Sequence, residues 1–281
     1  MAGAMVLPGK PAAEQEPSRA TRLASPQFSV MMWTLREHGT FEENLERVAA
    51  AGYTHVELTG EFNKWSEEEW RHFPQRMQAL GISIDATGGM KRGFADPAGG
   101  DAFIAELKAV ISVMKRLGCM QIILLSGKRL EGIAAEVQHT ASIEALKRAA
   151  ELLAAAGMTG LVEPIDRLEN PAIYLDGVTE AFEMVRAVGS ANVKVLYDLY
   201  HEQRGYGNLI EKLEKNIDQI GLIHVADVPG RHEPGTGEIN YGNIYRRLAQ
   251  LNYKHGIAME FYPTGDIVET LRHAREEAMR A

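Results

Sequence analysis

The chain has 281 residues, 45% hydrophobic and 24% charged, an ordinary globular composition with enough apolar material for one large core. Its formal net charge is −8, and its 30 basic residues are scattered rather than gathered into a stripe, which argues against a nucleic-acid partner. No apolar run reaches the roughly 20 residues that a membrane helix needs, and the single cysteine, Cys119, excludes an internal disulfide and reads as a buried, inert thiol.

Residues 1–27, "MAGAMVLPGKPAAEQEPSRATRLASPQ", are rich in Ala, Pro and polar side chains and carry neither a helical nor a strand period, so they read as a flexible N-terminal extension. They lack the charged and fully apolar regions of an export signal. The expected location is therefore cytoplasmic, with export to the periplasm as the alternative if these residues are the end of a truncated signal.

From Phe28 onward, short β-rich apolar runs alternate with amphipathic stretches. Strands are expected in "FSVMMW", "HVEL", "SIDAT", "QIILLS", "GLVEP", "VKVLYD", "GLIHVAD" and "IAMEFY". After the first, Thr40 and Glu43 form a capping box ahead of Phe41, Leu45, Val48 and Ala49, and Gly52 closes that helix. Ser66 and Glu69 repeat the device, with Pro74 expected to kink or restart the second helix. Asp101 opens a third, burying Phe103, Leu107, Val110, Met114 and Leu117 up to Gly118. The longest helix is expected from about Ile143 to Ala156, with Leu146, Ala149, Leu152 and Leu153 on one face.

Eight strands, eight helices and about 250 residues predict a single (β/α)8 TIM barrel over residues 28–281. The alternative, a doubly wound open sheet, is disfavoured because no glycine-rich nucleotide loop follows the first strand: "MMWTLREHGTFEE" holds one glycine. In a barrel the C-terminal ends of the strands form the active face, so ionisable residues there are candidates for function.

The last four strands place Glu163, Asp198, His224 and Glu260 at that end. Three carboxylates converging on one mouth repel one another strongly, and a divalent cation relieves that repulsion. Three oxygens and one imidazole suit Mg2+, Mn2+ or Co2+ better than a structural zinc, which favours thiolates. His201, three residues after Asp198, either donates to a substrate oxygen or is an exposed loop histidine. Arg167 and Glu169 follow Glu163, and Arg231 follows His224; a pocket with both Arg and Glu suits a polyhydroxylated or carboxylated small molecule. Trp33 and Glu57 end the first two strands and are placed to line the pocket, although Glu57 equally suits pairing with a barrel cation. "PGTG" lacks the Lys-Ser/Thr of a phosphate loop and reads as a turn, after which Glu238 either reaches the pocket or caps the helix at Asn240. Of the other histidines, His232 stands out for following Arg231; the rest lie away from strand ends.

"YDLYHEQR", "ADVPGRHEPGTGEINY" and "EPI" closely resemble the hydroxypyruvate isomerase family within the xylose isomerase-like TIM-barrel superfamily, with good agreement over roughly Leu161 to Pro263 and barrel layout alone before that. The resemblance implies a metal on Glu163, Asp198, His224 and Glu260, the two glutamates as the acid/base pair, and His201 and Arg231 as substrate contacts. His224 stands where some such isomerases have Gln, "EPIDRLE" is closer to ketose 3-epimerases, and "TGEFNKWSEEEW" lacks the isomerases' usual continuation after strand two. The expected activity is metal-assisted isomerisation of a small hydroxy-carbonyl compound through an enediolate, hydroxypyruvate to tartronate semialdehyde, with ketose 3-epimerisation as the alternative. An apurinic-site endonuclease would need more histidine ligands and a basic groove, and a non-catalytic sugar-binding barrel would bind without exchanging protons. A homo-oligomer is implied by the resemblance alone; no sequence patch marks one.

Overall fold

A computed structural model describes residues 27–280. Apart from Gln27, the expected N-terminal extension lies outside the described residues. Each expected apolar run forms a strand: β1 (Phe28–Met31), β2 (His55–Leu58), β3 (Ser83–Thr87), β4 (Gln121–Leu125), β5 (Thr159–Glu163), β6 (Val193–Asp198), β7 (Ile220–Val225) and β8 (Gly256–Met259). They pair in parallel in chain order, and β8 returns to β1 through Phe28–Ile257, Ser29–Ala258 and Val30–Met259. The sheet has no free edge. This is the expected (β/α)8 barrel.

The crossovers carry α1 (Phe41–Ala50), α2 (Glu69–Ala79), α3 (Gly100–Leu117), α4 (Ala135–Ala156), α5 (Val178–Val188), α6 (Leu199–Gly205), α7 (Leu209–Asn216), α8 (Tyr241–Gln250) and α9 (Ile267–Arg280). Among the described residues there are thus nine α-helices rather than eight, because the β6–β7 connection holds two. The Thr40–Glu43 capping box forms, with Thr40 Oγ1 accepting from the Glu43 amide and Glu43 accepting from the Thr40 amide.

Two expectations differ in part. Helix α2 does not restart at Pro74 but continues from Glu69 to Ala79. Phe73 and Met77, four residues apart, are both buried on one face, and that packing holds the helix across the backbone bond that proline cannot make. Helix α4 starts at Ala135, well before Ile143, because two polar side chains of its first turns face inward. Gln138 is fully buried, donating to the carbonyls of Ala95 and Lys128 and accepting from the Leu130 amide, while Ser142 donates to the Gln138 carbonyl. An apolar period does not register such residues.

Inside the barrel, Met31, Ala86, Ile123, Leu161, Leu196, Leu222 and Ala258 form a separate apolar layer, with Trp33 and Leu125 packed against it. The main core lies outside, between the strands and the helices. The interior layer fixes which residues form the floor of the mouth.

Candidate active site

Side chains alternate across a strand, so residues two apart share a face. Counting two residues onward from Leu161, Leu196, Leu222 and Ala258 gives Glu163, Asp198, His224 and Glu260. These four are therefore the next inward layer, one step nearer the C-terminal mouth. The strand register sets Asp198 opposite His224, and the Glu260 amide, one residue past β8, bonds to the Val225 carbonyl at 3.0 Å. All four are buried, and each offers a ligand atom within 4.8 Å of the others.

Asp198 has two tasks. Its Oδ1 caps α6, accepting from the amides of Tyr200 (2.7 Å) and His201 (3.1 Å). Its Oδ2 is buried with no hydrogen-bond partner and lies 3.4 Å from His201 Nε2 and 3.5 Å from Arg231 Nη2. The cap also turns His201 back toward the mouth, where its Nδ1 donates to Asp166 Oδ2 at 2.7 Å. His201 is buried, which removes the exposed-loop alternative.

His224 is fully buried between two acids: Nδ1 lies 2.8 Å from Glu260 Oε2 and 3.8 Å from Glu163 Oε1, while Nε2 lies 2.9 Å from Glu57 Oε2. Arg231 completes the wall. Its Nη2 donates to Glu260 Oε2 at 2.6 Å, its Nη1 to Glu169 Oε1 at 2.7 Å, and its guanidinium lies against the rings of Trp33 and Tyr200. Trp33 Nε1 donates to the other Glu260 oxygen at 3.1 Å.

These contacts split the two glutamates. Burial, and then the charge of Glu260, push the Glu163 carboxyl up to about 8. Glu260 is equally buried, but Arg231 and His224 outweigh that penalty and hold it well below the usual carboxylate range. Without a cation the two acids are thus set apart, Glu163 raised and Glu260 lowered, and a bound cation would lower Glu163 as well by cancelling the repulsion from Glu260. Burial alone would lower His201, yet Asp198 and the bond to Asp166 raise it to about 9. For His224 burial is likewise overcome, by Glu260 and Glu57, so it is raised.

The loop after β7 is built around Asp227, which is fully buried. Its Oδ1 accepts from the amides of Val228 and Ile239, and its Oδ2 from those of Gly235 and Gly237. A Cβ on Gly237 would fall 2.0 Å from the Val228 carbonyl oxygen, so the chain closes on the carboxylate only with glycine there. "PGTG" is therefore a turn whose amides are occupied by the protein's own anion. The loop holds Arg231 in a left-handed conformation (φ 57°) facing the mouth.

Three placements differ from the sequence reading. Trp33 is not on β1, which stops at Met31, but on the short 3-10 helix Met32–His38, and from there it still reaches Glu260. Glu57 does not line the pocket: it is fully buried inside the barrel behind His224, with Ser29 Oγ donating to its Oε1 at 3.3 Å. Glu238 neither reaches the mouth nor caps a helix; it is exposed and accepts from Gln203, while Asn240 caps α8 with its own side chain. Arg167 turns outward to pair with Asp176, and His232 bonds the Tyr262 carbonyl. The sequence reading passed over Asp166 and Asp227, whose roles consist of contacts made across loops.

The quartet suits a divalent metal. The donors are hard oxygens plus one imidazole, and Asp198 Oδ2 is buried with no hydrogen-bond partner. The second acidic cluster, Asp166, Glu169 and His201, differs because Arg204, Arg231 and His201 pair with its carboxylates and neither acid has a buried oxygen without a partner. A cavity of about 510 Å3 between α4 and α5, lined by His139, Tyr174 and Glu180, contains none of the quartet.

Fold and site together define an enzyme of the xylose isomerase-like TIM-barrel class. The chain belongs to the Xylose isomerase-like TIM barrel family, whose model matches residues 45–278. It is 31% identical over 244 residues to hydroxypyruvate isomerase of Escherichia coli K12, covering 84% of this chain and 93% of that protein. A 2-oxo-tetronate isomerase of Cupriavidus necator is 39% identical over 121 residues, 43% of this chain and 46% of the relative. Among solved structures, one titled AP endonuclease, family 2, from Brucella melitensis superposes with a TM-score of 0.79 at 26% identity, covering 88% of this chain and 97% of that one. The chain is an enzyme of the isomerase and epimerase type. No helix among the described residues is long and apolar enough to cross a membrane.

Proposed function

We propose that this protein is a divalent-metal-dependent isomerase that converts hydroxypyruvate to tartronate semialdehyde. The observation that carries the reading is the buried convergence of Glu163, Asp198, His224 and Glu260, whose ligand atoms lie within 4.8 Å of one another and include an Asp198 carboxylate with one buried oxygen that has no hydrogen-bond partner. Glu163, Asp198, His224 and Glu260 would hold Mg2+ or Mn2+, which when bound supplies positive charge to the substrate's oxygens as an enediolate develops.

The reaction moves a proton between adjacent carbons. A glutamate takes it from C3 of hydroxypyruvate, leaving an enediolate across C2 and C3, and then, as a protonated acid, delivers it to C2 while the proton of the C3 hydroxyl passes to the C2 oxygen, so that C3 becomes the aldehyde and C2 the alcohol. Trp33 and Arg231 keep the Glu260 carboxylate oriented by bonding both of its oxygens. Arg231 and protonated His201 offer cationic donors to the substrate's carboxylate and hydroxyl oxygens, and Asp166 fixes the His201 ring. The buried surroundings exclude water from the reacting carbons.

A second reading, a ketose 3-epimerase, is favoured by one observation: Glu163 and Glu260 come from β5 and β8, separate arcs of the barrel wall, as proton transfer on two faces of one carbon requires. The test offers hydroxypyruvate, 2-oxo-tetronate and a ketohexose in parallel to Mg2+- or Mn2+-loaded protein and identifies products by NMR. Tartronate semialdehyde from hydroxypyruvate supports the proposal. Turnover of the ketohexose alone replaces it with the epimerase, and turnover of 2-oxo-tetronate alone moves the substrate to the four-carbon acid.

A further inference from the structure

Glu57 is a fully buried acid on β2, away from the four strands that supply the quartet, yet it touches one of its members. Glu57 Oε2 lies 2.9 Å from His224 Nε2, and its Oε1 is steadied by Ser29. On the other edge of the ring, Nδ1 faces Glu260 Oε2 at 2.8 Å and Glu163 Oε1 at 3.8 Å. A neutral imidazole has one N–H and one lone pair, and only the lone pair can ligate a metal.

Placing the proton on Nδ1 alone would press the Nε2 lone pair against a buried carboxylate and aim an N–H into the metal-binding cluster. Placing it on Nε2 satisfies Glu57 and frees Nδ1. We infer that Glu57 is the positioning residue of the metal centre: it accepts the Nε2–H of His224 and so fixes the tautomer in which Nδ1 is the ligand atom. This rests on the metal reading proposed above. It assigns Glu57 no contact with substrate, and it makes β2 contribute to a site otherwise built by β5 to β8.

Carboxylates that orient a ligating histidine typically account for about 10- to 100-fold in metal affinity. The test uses the full-length chain stripped of metal. Mn2+ is titrated calorimetrically into wild type and Glu57→Gln, with circular dichroism to verify folding. In parallel, long-range 1H–15N histidine spectra are recorded on wild type loaded with diamagnetic Zn2+, the His224 signals being assigned by their loss in His224→Ala.

The expected results are a proton on Nε2 and metal on Nδ1 in loaded wild type, and Mn2+ affinity about 10- to 100-fold weaker in folded Glu57→Gln. A proton on Nδ1, or Glu57→Gln binding Mn2+ as tightly as wild type, overturns the inference. If Glu57→Gln does not fold, the wild-type spectrum decides alone. Wild type that binds no Mn2+ refutes the metal reading itself, a result distinct from the other two.

Discussion

Replacing Asp85 with Asn should stabilise the protein, and increasingly so as pH rises. Asp85 lies on β3, is buried, and has no hydrogen-bond partner for either carboxylate oxygen. Burial first, and then the charge of Glu57, push its carboxyl from 3.8 up to about 8. The folded state therefore binds this proton more tightly than the unfolded chain does. The associated stability is complete below pH ~4, the unfolded value, and is lost as pH rises through about 8. At roughly 1.4 kcal/mol per pH unit, the wild type forfeits about 4 kcal/mol by pH 7 relative to a permanently neutral side chain. Local relaxation reduces this, so about 2–4 kcal/mol is expected for the near-isosteric Asp85→Asn. In a chain of this size that raises Tm by roughly 5–10 °C near pH 8, with the gain shrinking toward pH 5. Thermal melts of both proteins from pH 5 to 9 test it. A Tm difference independent of pH, or a less stable variant throughout, would refute the reasoning and show that Asp85 is ionised and partnered in solution.

Glu260→Gln should retain the fold and lose at least about 100-fold in kcat, as expected for loss of an acid/base group; near-wild-type kcat in a folded variant would remove Glu260 from that role. Asp198→Asn should keep the α6 cap through its remaining oxygen yet weaken Mn2+ binding at least tenfold by calorimetry, since the other oxygen, Oδ2, is buried without a hydrogen-bond partner and would be replaced by an amide nitrogen. Asp227→Ala strands four backbone amides, which should cost about 2–4 kcal/mol in chemical denaturation and raise KM by releasing Arg231; an unchanged KM would separate the loop from substrate binding. Thr40→Ala should cost about 1 kcal/mol in chemical denaturation, because it removes the side-chain cap of α1; an unchanged midpoint would show that the capping box contributes nothing in solution.

The barrel was legible because each strand is a short apolar run between polar crossovers, and that alternation is local. The quartet was legible for the same reason: an ionisable residue closing a buried run is visible without knowing what it touches. Period-2 counting from Leu161, Leu196, Leu222 and Ala258 explains why these four residues share a layer. What the sequence concealed depends on three-dimensional partners. Glu57 stands one residue before the end of β2, paired with Met31 and Ala86 of the apolar interior layer, so it lies behind His224 rather than in the pocket. Asp227 looks like one more strand-end acid, but its carboxylate is consumed by the amides of its own loop. Asp166 and Gln138 are buried polar residues whose hydrogen bonds span loops, and no hydropathy pattern marks them.

The central claim is that the four-residue mouth uses a divalent ion to make a C–H proton exchangeable. The direct measurement is proton NMR of hydroxypyruvate in D2O with metal-stripped protein, followed by addition of Mg2+ to the same sample. Loss of the C3 proton signal and appearance of tartronate semialdehyde only after Mg2+ is the expected result. Equal exchange with and without the metal, or none in either state, would contradict it.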